Sequence, residues 1–174
     1  MLIRLSVLLG LLGATSVMHA QASPTASRIG DLQIGAGFST AVPDYSPHRF
    51  NGFAIYTDFD FTKHFGVEAE FHFVKGPSPS DFYEKTYEIG GRYRRTYGRF
   101  VPYGKGMYGR GVFNYQYGQA NLAYNMFAGG VGLDYKLKPY LNLRGDFEYQ
   151  HWMGFPPNGL TPLVYTIGAA YHFK

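Results

Sequence analysis

The chain has 174 residues, a formal charge of +4 from 16 basic and 12 acidic side chains, 23 Gly, 16 Tyr, 15 Phe, 1 Trp and no Cys. One ordinary domain fits that length. The low charge beside so many aromatics excludes a disordered chain, and the lack of Cys excludes a disulfide scaffold, a Cys-bound zinc and a thiol nucleophile. Only the N-terminus carries a long apolar run, so a bundle of membrane helices of about 20 apolar residues each is excluded as well. A membrane barrel is not, because its strands hide their apolarity in alternation.

Residues 1–22 read as a secretory signal peptide. Arg4 supplies the positive start, Leu5 to Met18 the apolar stretch, and Ala20-Gln21-Ala22 the cleavage signal. The domain proper is then 23–174, with 23–27 a short polar lead.

From there the hydrophobic period is two, and eight strand segments follow in order. The first, about 28–41, sets Leu32, Ile34, Ala36 and Phe38 against Asp31, Gln33, Gly35 and Gly37. The second, about 49–61, sets Phe53, Ile55, Phe59 and Phe61 against Gly52, Tyr56, Asp58 and Asp60. The third, about 64–75, sets Phe65, Val67, Ala69, Phe71 and Phe73 against Glu68, Glu70 and His72. The fourth, about 82–96, sets Tyr87, Ile89 and Tyr93 against Glu88, Arg92 and Arg94. In the fifth, about 99–113, Lys105 and Arg110 are an odd number of residues apart. A regular strand puts Lys105 inside and Arg110 outside near a rim; a bulge near Gly109 is the alternative. The sixth, about 122–136, carries Phe127, Val131, Leu133 and Tyr135 opposite Asp134 and small residues. The seventh, about 140–152, carries Leu141, Leu143, Phe147 and Tyr149 opposite Asn142, Arg144, Asp146, Glu148 and Gln150. The eighth, about 161–173, carries Leu163, Tyr165, Ile167, Ala169, Tyr171 and Phe173 opposite Thr166, Gly168 and His172.

Connections alternate between tight ones (Thr62-Lys63-His64, Tyr97-Gly98, Lys136 to Pro139) and longer Pro-, Gly-, Ser- or Asn-rich ones at 43–47, 76–81, 114–121 and 154–159. That alternation, with an even strand number, is expected of an all-β, eight-stranded antiparallel up-and-down transmembrane β-barrel with termini and tight turns on the periplasmic side. The polar face then lines the lumen: Asp58, Asp60, Glu68, Glu70, Glu88, Asp134, Asp146 and Glu148 against Arg92, Arg94, Lys105 and Arg144. Gly and Ala on that face suit a crowded interior, and both charge signs recur at similar depth. Eight strands leave a lumen that side chains fill, so a plugged, polar interior is expected rather than a wide pore. Because buried isolated charges are costly, the surplus acids require wet ends, protons or further partners. The lipid-facing belt is Phe53, Ile55, Val67, Phe71, Ile89, Val131, Leu133, Leu143, Phe147, Tyr165 and Ile167, with aromatics gathered near the tight turns.

Over residues 28–173 this pattern resembles the small eight-stranded bacterial outer-membrane β-barrels of the OmpA/OmpX type. The most specific piece is Leu163-x-Tyr165-x-Ile167-x-Ala169-x-Tyr171-x-Phe173, similar to the C-terminal strand signal of such proteins, in which Tyr171 and Phe173 are read by the barrel-assembly machinery. Lys174 follows the aromatic where the family usually ends on Phe. Gly90-Gly91-Arg92-Tyr93 and Phe100-Val101-Pro102-Tyr103-Gly104 also look like the family's hairpin between its fourth and fifth strands. The resemblance implies a monomeric protein of the Gram-negative outer membrane, structural or interacting in role, with outer-membrane lipids as partners, short outward loops around Asp44-Tyr45, Ser78-Pro79, Tyr115-Gln116-Tyr117 and Phe155-Pro156-Pro157, and no wall-binding domain.

Some small barrels of this kind modify lipids, but nucleophilic catalysis needs Ser, His and an acid to converge. No Ser has persuasive spacing to His72 or His151, and Ser78 and Ser80 lie in a Pro-rich loop. Glu68 and Glu70 arise from alternation alone, and with His72 they lack the donor density of a zinc motif. No catalytic, metal or cofactor site is therefore expected. Nucleic acid is not expected either: in Arg92-Tyr93-Arg94 the bases oppose the aromatic, and Gly104-x-Gly106-x-x-Gly109 lies inside a strand and opens no helix. Two alternatives stay open. One is a periplasmic lipocalin-like carrier with the aromatic face turned inward. The other is a lipid-modifying barrel enzyme that depends on His72 or His151.

Overall fold

The computed structural model describes residues 30–78, 82–115, 120–154 and 159–173. The signal segment, the whole polar lead, residues 28–29, Lys174 and parts of three of the longer connections (79–81, 116–119 and 155–158) lie outside the described residues. The chain forms eight strands: β1 Asp31–Val42, β2 Phe50–Asp60, β3 Phe65–Lys75, β4 Tyr83–Arg94, β5 Phe100–Tyr115, β6 Ala120–Lys138, β7 Leu141–Trp152 and β8 Leu163–Phe173. Each pairs antiparallel with its neighbours, and β1 pairs with β8 to close the barrel.

The strands form because β-branched and aromatic residues recur at every second position, where one pleat face buries and the other does not. The turn of β4 into β5 shows the local chemistry. Tyr97 and Phe100 exchange both backbone hydrogen bonds, 2.7 and 3.0 Å, around Gly98-Arg99, and Gly98 takes a φ of 62°, the left-handed value that a two-residue hairpin demands and glycine accepts.

Register departs from expectation at one place. β5 runs regularly past Gly109, with Lys105 buried and Arg110 exposed, so no bulge lies there. The register shift sits between Lys136 and Lys138 on β6, which is also longer at both ends than its alternation suggested. At the closing seam, β1 and β8 pair small residues at mid-height: Gly35 with Ala170, Ala36 with Ala169 and Gly37 with Gly168.

The two faces are inside out relative to a soluble barrel. Ile89, Val131 and Ile167 are 62, 60 and 75% exposed, while Asp58, Glu68, Arg92, Arg144 and Glu148 are all at most 3% exposed. Aromatic rings pair across neighbouring strands on the outside: Phe65 with Tyr93 and Phe100 with Tyr135, both at 5.2 Å, toward the tight turns, and Tyr108 with Phe127 at 5.1 Å nearer the other end. This order excludes the carrier reading. Its apolar calyx would need the Phe and Ile face inside, and that face is out.

Candidate functional site

The lumen holds the chemistry, in stacked layers. Nearest the tight turns, Arg94 reaches Asp60 at 2.9 Å and Asp31 at 3.4 Å, and His172 also bonds Asp31. These residues, with Gly30, Phe61, Thr62 and Lys63, line an open cleft of about 500 Å³.

Above it lie two guanidinium groups. Asp58 on β2 and Glu68 on β3 stand directly opposite each other, a like-charge pair that by itself destabilises the ladder. Arg92 from β4 and Arg144 from β7 each reach Asp58 at 2.5 Å and Glu68 at 3.4 Å, and both also bond Asp134 on β6, Arg144 through Nε at 2.7 Å. Planar forks shared among several carboxylates are the geometry in which buried arginine is best compensated. Their flat faces lie over rings, Arg92 at 4.0 Å from the Tyr103 centroid and Arg144 at 4.1 Å from that of Tyr56. Two glycines make room for these tyrosines: a Cβ at Gly132 would strike the Tyr103 ring, and one at Gly35 the Tyr56 ring.

In the next layer the Lys105 ammonium is held by Glu68 at 3.1 Å, Asp146 at 3.1 Å, Glu148 at 3.0 Å and Glu70. The Tyr103 hydroxyl donates to Asp146 at 2.5 Å. Higher still, His72 Nε2 is 3.0 Å from Glu70, and its Nδ1 is 3.1 Å from the Thr86 hydroxyl and 3.5 Å from Glu88. The Gln150 amide donates to Glu88 at 3.1 Å and to Glu148 at 2.7 Å, and the Trp152 indole donates to Gln150 at 2.9 Å. At the loop end the chemistry turns apolar: Met107, Phe113, Met126, Ala128, Trp152 and Leu160 pack together, and Ala41, Phe50, Val74 and Val164 pack beside them, with Phe82 against both groups. On this rim Tyr45 donates to Glu84 at 2.5 Å. Burial and that carboxylate push the Tyr45 hydroxyl pKa up from its usual range.

Each lumenal residue named from the sequence (Glu68, Glu70, Glu88, Arg92, Arg94, Lys105, Arg144, Asp146, Glu148) therefore lies inside, and all but Arg94 belong to one connected cluster spanning the barrel. Of the belt residues, Phe53, Ile55, Val67, Ile89, Val131, Leu133, Leu143, Tyr165 and Ile167 are exposed on the outer surface. Phe71 and Phe147 are half-exposed beneath Tyr87 and Tyr165 at 5.0 and 5.1 Å, and Tyr171 and Phe173 also face out. Sequence reasoning missed the inward Met107, Met126, Trp152, Tyr103 and Glu84. Their parity along the strands was the signal, since each falls in step with the charged face. Thr86 was missed as well. Thr86, His72 and Glu70 follow the hydroxyl–imidazole–carboxylate order of a nucleophile, but Thr86 is buried beside Gly111, over which the Trp152 ring lies, and Glu88 shares the same imidazole nitrogen.

The sequence profile of the family described as "Outer membrane protein beta-barrel domain" matches residues 7–173. No curated relative matches the chain. Among solved structures, the attachment invasion locus protein Ail of Yersinia pestis is similar at a TM-score of 0.59 and 20% identity, over 83% of this chain and 99% of that one. Neisserial surface protein A gives a TM-score of 0.68 at 13% identity, over 83 and 97%. The outer membrane protein OprG of Pseudomonas aeruginosa gives 0.61 at 17%, over 83 and 96%.

Proposed function

The chain belongs to the outer membrane protein beta-barrel family, and from that premise we propose that it is a non-catalytic barrel with a sealed lumen that serves the outer membrane through structure and loop contacts. The observation that carries this reading is the lumen filling. Ion pairs bind β2, β3, β4, β6 and β7 across the axis, and an apolar plug lies above them. An interior filled in this way by the described residues supports a lumen without a continuous water path, and ions cross only where water or polar groups replace their hydration shell.

Outer-membrane lipids are its first partners. The exposed belt meets acyl chains, and the tight turns carry Lys63, Arg95, Arg99, Lys136 and Lys138 with no acid among them, set to meet lipid phosphates. Arg95 and Lys138 lie 5.8 Å over Tyr93 and Tyr140, and rings of that kind sit at the headgroup level. The barrel acts as a monomer, since closure leaves no strand edge for a second copy. Tyr171 and Phe173, outward on β8, serve the assembly machinery.

Planar-bilayer recording of the refolded barrel tests the sealed lumen. The expected result is no stable unitary conductance from the wild type. Reproducible conductance steps that survive Arg144→Lys would overturn the sealed reading.

A further inference from the structure

Two carboxylate clusters share Glu148 in the upper lumen, and they are compensated unequally. In the first, Glu70, Asp146 and Glu148 surround the Lys105 ammonium, as described. In the second, His72, Glu88 and Glu148 each offer one donor atom, and these atoms lie within 4.8 Å of one another, all three residues being buried. Among the described residues no Lys or Arg reaches Glu88. Its side chain is fully buried, and its Oε2 accepts no hydrogen bond. Glu70 stands directly opposite it on β3, a second like-charge pair. Four carboxyls of this level (Glu70, Glu88, Asp146, Glu148) thus answer to one ammonium and one imidazole, and buried carboxylates in such excess are costly unless a cation joins them.

We infer that His72, Glu88 and Glu148 bind a divalent cation of the zinc class inside the barrel. One imidazole nitrogen and two carboxylates, with no thiolate in the chain, suit Zn²⁺, Co²⁺ or Mn²⁺ rather than a soft ion. The surroundings are those that orient metal ligands. His72 Nε2 lies 3.0 Å from Glu70 without a hydrogen bond, and Nδ1 lies 3.5 Å from Glu88, so both imidazole nitrogens face carboxylates. The Gln150 amide donates to both ligand carboxylates and is itself fixed by Trp152. His72 and Glu88 come from adjacent β3 and β4, and Glu148 comes from β7 on the far wall, so the ion ties opposite sides of the barrel as Lys105 does one level below. Sequence spacing does not show this site, because the third ligand arrives across the lumen. The apolar plug above it requires the ion to enter while the barrel folds and to leave slowly afterwards.

The test uses the chain without an added histidine tag, refolded from urea into detergent with Zn²⁺ or Co²⁺ and then desalted against EDTA. Folding is checked by the unboiled gel shift. The expected result is about one metal per folded barrel, a Co²⁺ d–d absorption band, and a higher unfolding midpoint than for barrel refolded in EDTA. His72→Gln and Glu88→Gln should lower metal content at least about tenfold, while Glu84→Gln, a buried acid on the rim, keeps it. A folded wild type that carries no metal overturns the inference, since protons would then compensate the carboxyls. Undiminished metal in folded His72→Gln overturns it too. If the variants do not fold, wild-type metal content and the Co²⁺ spectrum decide alone.

Discussion

The middle of the lumen and its loop end close the same barrel by opposite means. In the middle, Arg92, Arg144 and Lys105 bind carboxylates from several strands at fixed distances, so each guanidinium or ammonium demands its particular partners. At the loop end, Met107, Met126, Trp152 and Leu160 fill space by volume and shape. Apolar filling tolerates exchange of one side chain for another of similar size, whereas a shared buried ion leaves its partners uncompensated once removed. One region specifies which strands face each other; the other excludes water.

Four experiments break or sharpen that contrast. The largest effect is expected from Arg144→Ala, which strips the shared partner from Asp58, Asp134 and Glu68. Urea unfolding in lipid vesicles should show a loss of about 3–5 kcal/mol, and a loss below 1 would mean that the ion pairs are not the lock they resemble. Val131→Arg asks whether a guanidinium is favourable anywhere in the wall. At an outward site 60% exposed to lipid it should cost about 2–4 kcal/mol by the same assay, and an unchanged midpoint would count against the inside-out assignment.

Met126→Leu conserves volume in the plug and should cost less than about 1.5 kcal/mol; a larger loss would make the plug as exacting as the ion layer. Smallest is Tyr45→Phe, which removes the hydrogen bond to Glu84 and should cost about 1 kcal/mol. It also carries a pH signature. Because the Tyr45 hydroxyl pKa is raised in the folded state, its contribution is complete below the unfolded value of 10.0 and declines as pH rises beyond it. The wild type should therefore lose midpoint between pH 10 and 11 more steeply than Tyr45→Phe, and parallel curves would remove Tyr45 from the rim's stability.

Much of the wall was legible because the strand period is two. The parity that put Asp58, Glu68 and Arg92 on one face and Phe59, Val67 and Tyr93 on the other is a local property. Partners across the axis are not. That Arg144 meets Asp58, and that Glu148 meets both Lys105 and the His72–Glu88 pair, depends on the stagger accumulated over several ladders, which no single strand encodes. The plug was missed for another reason. Met107, Met126 and Trp152 are apolar residues on the polar face, and weighing residue type above position set them aside.

The small-residue pairing of β1 with β8 has a consequence for how the ring is fastened. Glycine and alanine opposite one another give a ladder little to choose between registers. The choice falls instead on what flanks them: Ile34 against Tyr171 and Phe38 against Ile167 outside, the 3.0 Å bond between the Ser39 and Thr166 hydroxyls within, and Asp31 with His172 at the lip. The clasp is smooth where two wall edges must slide together and keyed on both sides of that stretch, so the chain can meet its own end at many offsets and stay at one.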